Sequence, residues 1–145
     1  MKTDTSERGL ERLICIALTG SPCDPGSKPA DSLHERPAAY GAGWIGGDPK
    51  DYDREYCVDL NQLGTFLRTT QTETAKALNI DEDSPRRTFL ARLQGEITKR
   101  GTIDVLRHGV RHGPHNIDLF YGTPSKNNPT AIERYAKNRF SVTRQ

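Results

Sequence analysis

No run of apolar residues in this 145-residue chain approaches the roughly 18–20 needed to cross a bilayer as a helix. The first residues, MKTDTSERGLER, are charged where a secretory leader would be apolar, so a cytoplasmic protein is expected. Only three cysteines occur, Cys15, Cys23 and Cys57, an odd set without CxxC or Cys/His zinc spacing, which argues against a disulfide framework and a structural zinc site. They read as reduced thiols, with Cys15 a small core residue of a helix. A GxxxxGK[ST] phosphate loop and a GxSxG nucleophile elbow are both missing, so neither an ATP site nor a serine hydrolase can be argued from the residues. No internal repeat is present. Apolar residues make up 33% of the chain against 28% charged, a thin core for this length, and a missing partner or further chain is expected.

What is there is an uneven distribution of charge. The formal net charge is +2, but residues 1–83 carry 9 Lys/Arg against 15 Asp/Glu, while residues 84–145 carry 12 against 4. A basic face of this kind can follow a phosphate backbone or dock on an acidic domain, and charge alone supplies no sequence-specific contact.

The chain is organised around residues 89–115, FLARLQGEITKRGTIDVLRHGVRHGPH. Phe89, Leu90, Leu93 and Ile97 recur at helical spacing, opposite Arg92, Glu96, Lys99 and Arg100. Ser84 and Pro85 form an N-cap and first-turn pair for this helix, and Gly101 stops it. Thr102 is expected to cap a second short turn that buries Ile103, Val105 and Leu106. Arg107, His108, Arg111, His112 and His115 then follow closely, a cationic cluster on an ordered scaffold.

Around this centre, Thr5 or Ser6 can cap a first helix through Leu18, ended by Gly20, with Leu10, Leu13, Ile14, Ala17 and Leu18 as its buried stripe. At 100° per residue Glu7 falls inside that stripe and Glu11 at its edge. First-turn placement against the helix dipole is the plainer of two readings for Glu7, the other being a site carboxylate. Glu11, a turn deeper, needs a cation, a metal or a proton, and is the site candidate. Residues 21–50 are a Pro/Gly-rich loop that Trp44 and Ile45 anchor to the core. Asp48, Asp51, Asp53 and Glu55 lack the EF-hand pattern and read as an acidic surface. Helices are expected from Asp59 to Arg68, burying Leu60, Leu63, Phe66 and Leu67, and from Thr72 to Leu78, followed by an acidic hinge. Ile117, Leu119 and Tyr121 alternate as a strand, Thr130 is expected to cap a helix carrying Ile132, Tyr135 and Ala136, and FSVTRQ alternates as a terminal strand. That strand must find an edge within the chain or continue into further sequence. His108, His112 and His115 have HxxxHxxH spacing, but Gly109, Gly113 and Pro114 interrupt the helix a zinc site would require.

These residues carry a family resemblance. The leading helix with Glu11, then GWIGGDPKDYDREYCVDL, FLRTTQ, FLARLQGEITKRGTIDVLRHGV, IDLFYGTP and ERYAKNRFSVTRQ together resemble the amino-terminal part of the restriction (R) subunit of type I restriction-modification enzymes, over essentially the whole chain. The resemblance implies an α+β, mainly helical single partial domain over residues 1–145, leading into the first strand of a PD-(D/E)xK nuclease-like domain. It further implies ATP-dependent cleavage of unmodified DNA by the intact subunit, with Mg2+ and ATP as cofactors and the modification and specificity subunits as partners. The family's central Asp and ExK pair would lie on strands beyond Gln145, so no cofactor is expected for these residues alone. Only Glu11 corresponds to a family nuclease-site position, the helix glutamate. Hydrolysis by such a fold needs clustered carboxylates and a lysine, so this chain by itself is expected to be inactive. Arg86, Arg87, Lys99, Arg100, Arg107 and Arg111 are the DNA-contact candidates. The alternatives are a small non-catalytic protein that binds DNA or a partner subunit, and an inactive product of low stability.

Overall fold

The computed structural model describes residues 6–24 and 43–144. It is mixed α+β, with six helices and three two-stranded sheets among the described residues. The chain, read above as one partial domain, forms two compact units, Met1–Gln62 with Arg139–Gln145, and Leu63–Asn138. Most of residues 21–50, and Thr5 and Gln145, lie outside the described residues.

The first unit is built from helix α1 (Glu7–Thr19) and short strands β1 (Ile45–Gly46), β2 (Tyr52–Asp53), β3 (Val58–Asp59) and β6 (Ser141–Val142). Ser6 caps α1 through a bond from Gly9 N, and Gly20 closes it in the left-handed conformation. The terminal strand finds its edge within the chain: β6 pairs in parallel with β1, Ile45 opposite Ser141 and Gly46 opposite Val142. Trp44 donates its backbone N–H to Leu18 O at 3.1 Å and packs its ring 5.4 Å from that of the exposed Phe140. Helix α1 lies against these two strands.

The face that α1 turns to the strands is not the predicted stripe. Cys15 and Gly9 are buried, whereas Leu10, Leu13, Ile14 and Ile16 are 40–59% exposed. Periodicity identified an apolar face, but a two-strand sheet is narrow, and the helix presents it the polar-edged line Glu11–Cys15–Leu18 instead. The apolar line on the other side has no cover among the described residues.

The acids of residues 48–55 serve turns. Asp48 Oδ1 accepts from Lys50 N, and Asp53 Oδ1 accepts from Glu55 N and Tyr56 N, which shapes the β2–β3 connection around Cys57 at φ +54°. Asp59 Oδ1 then accepts from Gln62 N and caps the next helix, α2 (Leu60–Thr70).

The second unit takes most of α2, with α3 (Thr72–Leu78), α4 (Asp83–Arg100), α5 (Thr102–His108), the hairpin β4 (Val110–His112) and β5 (His115–Ile117), and α6 (Pro129–Ala136). Its core is Phe66, Leu67, Leu78, Phe89, Leu90, Leu93, Val105, Val110 and Ile117, all at most 6% exposed. Leu60, Leu63 and Ile97 are only half-buried. Two caps differ from expectation by a residue or two. Glu82 is the N-cap of α4, with Ser84 and Pro85 inside its first turn, and Asn128 rather than Thr130 caps α6 by accepting from Ala131 N. Thr102 is the first residue of α5 after Gly101, and Ile103 is 63% exposed, because a seven-residue helix lying along α4 buries one line only, here Val105.

The strand predicted to reach Tyr121 ends at Ile117, and it is one arm of a hairpin inside the segment that the sequence presents as a cationic cluster. Beyond Ile117 two side-chain amides replace a strand partner. Gln71 Oε1 accepts from Asp118 N and Gln71 Nε2 donates to Asp118 O, while Asn138 does the same for Tyr121, at 2.7–2.9 Å. The extended segment is thereby satisfied without a ladder.

Candidate functional site

Glu11 sits on the strand-facing side of α1, and its carboxylate is 39% exposed. The cation it needs is Arg144, just past β6, whose Nε lies 3.6 Å from Glu11 Oε2. Arg144 is itself 12% exposed and donates from Nη1 to Pro22 O at 3.0 Å and to Asp24 Oδ1 at 2.9 Å. Its Nε makes no hydrogen bond. One guanidinium therefore gathers the end of the terminal strand, the start of the Pro/Gly loop and the helix glutamate. Glu7, one turn earlier, is exposed, in keeping with its first-turn position. Sequence reasoning found Glu11 and missed Arg144, although NRFSVTRQ offers an arginine one strand-length away as its signal.

Beneath Glu11, Cys15 is buried, and burial together with its contact to Cys23 pushes its thiol up to about 11. Thr19 Oγ1 donates to the Cys15 backbone O at 2.8 Å and lies 3.5 Å from Cys23 Sγ, which places the Cys23 thiol at the carboxyl end of α1. Asp59 is raised chiefly by burial, against its bond from Gln62 N, and its Oδ2 has no partner. Gly47 passes so close to Asp59 Oδ2 and the Thr143 hydroxyl that any side chain there would collide with both.

The magnesium that the resemblance implies needs several converging carboxylates. Glu11 is faced by an arginine, and no group of three or more His, Cys, Asp or Glu converges among the described residues. These residues do not by themselves compose a magnesium centre.

The basic segment lies in the second unit. Arg100 is fixed at the α4–α5 corner: Nε donates to Asp104 Oδ2 at 2.6 Å, and Nη1 to Glu96 Oε2 and Gly109 O, each at 3.1 Å. Its bonds hold the carboxyls of Glu96 and Asp104 below the usual range. Arg92 adds a second cation to Glu96 at 3.1 Å and donates to Arg111 O. Arg86 is paired with Asp83 at 2.8 Å. Arg87 and Lys99 are exposed on α4, Arg107 on α5 and Arg111 on β4. Lys99, Arg107 and Arg111 thus present charge outward from a scaffold that Arg100 ties together.

The three histidines are not one cluster. His108 is exposed on α5 with Nδ1 3.0 Å from Asp104 Oδ1, while His112 and His115 face each other across the hairpin. Among the described residues no helix is long and apolar enough to cross a membrane. Comparison with protein-family models, with curated proteins and with solved structures found no match for this chain.

Proposed function

We propose that the chain is the amino-terminal part of the nuclease domain of a type I restriction enzyme R subunit, acting in the cytoplasm on unmodified DNA. In the intact subunit, with Mg2+ and ATP and with its modification and specificity partners, that domain cleaves DNA. The observation that carries this reading is the placement of Glu11: a half-buried carboxylate on the strand-facing side of the leading helix, next to the first residues after a terminal parallel strand. The uncovered line Leu10, Leu13, Ile14 and Ile16 supports a domain that has more to pack against it.

The test is Glu11→Gln in the intact restriction complex, scored for cleavage and for ATP hydrolysis in parallel. Cleavage is expected to fall at least about tenfold with ATP hydrolysis unchanged; undiminished cleavage would remove Glu11 from the nuclease and the reading with it. The isolated chain, short of a carboxylate cluster, is expected to leave supercoiled DNA intact in magnesium.

Lys99, Arg107 and Arg111, exposed on one compact unit, favour a second reading, a non-catalytic protein that binds DNA or a partner subunit. Binding to DNA by the isolated chain distinguishes it from docking on protein.

A further inference from the structure

The hairpin that interrupts the basic segment brings two histidines together. His112 and His115 are register partners in the β4–β5 ladder, flanking the two-residue turn Gly113–Pro114, in which Gly113 takes φ +59°. Residues directly opposed in an antiparallel ladder project from the same side, with Cβ atoms about 4.5–5.5 Å apart. His112 and His115 line one open cleft of about 480 Å3, together with Leu78, Ser84 and Thr88. Both are half-buried. Neither imidazole takes part in a hydrogen bond or ion pair among the described residues, and His112 packs edge-on against Phe89, centroids 5.8 Å apart.

Two imidazoles at this separation, one of them packed against an aromatic ring, can act as a bidentate nitrogen donor for a first-row divalent ion, and a poor one for magnesium, which prefers oxygen. The cleft supplies what two ligands leave open. It has room for metal-bound water, and the hydroxyls of Ser84 and Thr88 line the same space, Thr88 retaining acceptor capacity while it donates to Ser84 O at 3.0 Å. The positive end of α4 borders the cleft, and Glu82 and Asp83 place negative charge at that end to offset it. His108 points elsewhere, held by Asp104.

We propose that His112 and His115 form a two-histidine site for a first-row divalent transition ion of the zinc, nickel or copper kind, with its remaining positions open to water or to an oxygen ligand. The site is distinct from any magnesium that nuclease chemistry would use, and it draws on no residue of the first unit.

The experiment is calorimetric titration of the untagged full chain with Ni2+ in the presence of excess Mg2+, comparing His112→Asn, His115→Asn and His108→Asn. Asn keeps polarity and approximate size, and circular dichroism checks that each variant folds. The unaltered chain and His108→Asn are expected to take up one ion each with equal affinity. Losing either ligand is expected to weaken uptake by about 10–100-fold or more, at least what loss of an outer partner costs. Absence of saturable uptake overturns the proposal, as does an equal loss in His108→Asn, and a loss in only one of the two hairpin variants overturns the paired assignment.

Discussion

Arg144 ties the first unit together, because its guanidinium joins the end of the terminal strand to the start of the Pro/Gly loop and to helix α1. Replacing it with Met keeps the aliphatic stem but leaves Glu11 half-buried without a cation and removes the bonds to Pro22 and Asp24. Orphaning such groups costs on the order of 1–3 kcal/mol, so Arg144→Met is expected to unfold at lower urea with an unchanged slope, and an unshifted midpoint would show that the cluster is incidental. Asp59 makes the opposite kind of prediction. Burial raises its carboxyl above the ordinary value, so the folded state holds that proton more firmly than the unfolded chain does. The stability this contributes is fully present below the unfolded value and is lost as the pH rises through the folded one. Asp59→Asn keeps an acceptor for Gln62 N and carries no charge, so its melting temperature relative to the unaltered chain is expected to rise between acid and neutral pH. A constant difference across that range would assign the effect to the cap alone.

The α4–α5 corner titrates with the reverse sign. Arg100 depresses both Glu96 and Asp104, first through its hydrogen bond to each, so the stability these carboxylates add is present above their unfolded values and disappears as the pH falls through the folded ones. Hydrogen exchange is expected to show α5 losing protection on acidification ahead of the Phe89–Leu93 core, and Arg100→Met is expected to weaken that pH dependence, leaving the parts due to Arg92 and His108; simultaneous loss across α4 and α5 would contradict it. Much of this element was legible in the sequence, because helical spacing, Gly101 and the (i, i+4) pairing of Glu96, Arg100 and Asp104 are local signals. The hairpin was not, since three-residue strands leave too short an alternation to recognise, and Val110 and Ile117, register partners in the ladder, are buried only in the folded unit. The same limit hid the ends of the Ile117–Tyr121 segment, whose backbone is satisfied by Gln71 and Asn138 from 47 and 17 residues away. At α1 the pattern misled for another reason: it reported an apolar face correctly and could not say which face the strands would take. Glu11 was found because depth in a helix is local, and Arg144 was missed because its partnership with Glu11 is not.

Across the whole molecule the charge is divided, with the excess of acid before residue 84 and of base after it. Fixed ion pairs withdraw part of that base from any ligand: Arg86 is matched by Asp83, and Arg100 by Glu96 and Asp104. What remains outward, Lys99, Arg107 and Arg111 among others, sets the scale of any encounter with a polyanion. Contacts of this kind release counterions, and the dependence of log affinity on log salt falls by about 0.9 for each phosphate contact removed from duplex DNA. The double variant Arg107→Ala/Arg111→Ala is therefore expected to bind duplex DNA more weakly at every sequence, with a salt slope smaller by up to about 2. Its melting temperature should stay close to that of the unaltered chain, because both side chains are exposed. Arg100→Ala should behave in the converse way, losing thermal stability while the salt slope of the folded protein stays the same. Mobility shifts at several salt concentrations, paired with melting curves for the three proteins, separate the two effects. If the double variant binds as tightly and with the same slope, the basic segment does not touch phosphate, and its charge is then better matched to an acidic protein surface.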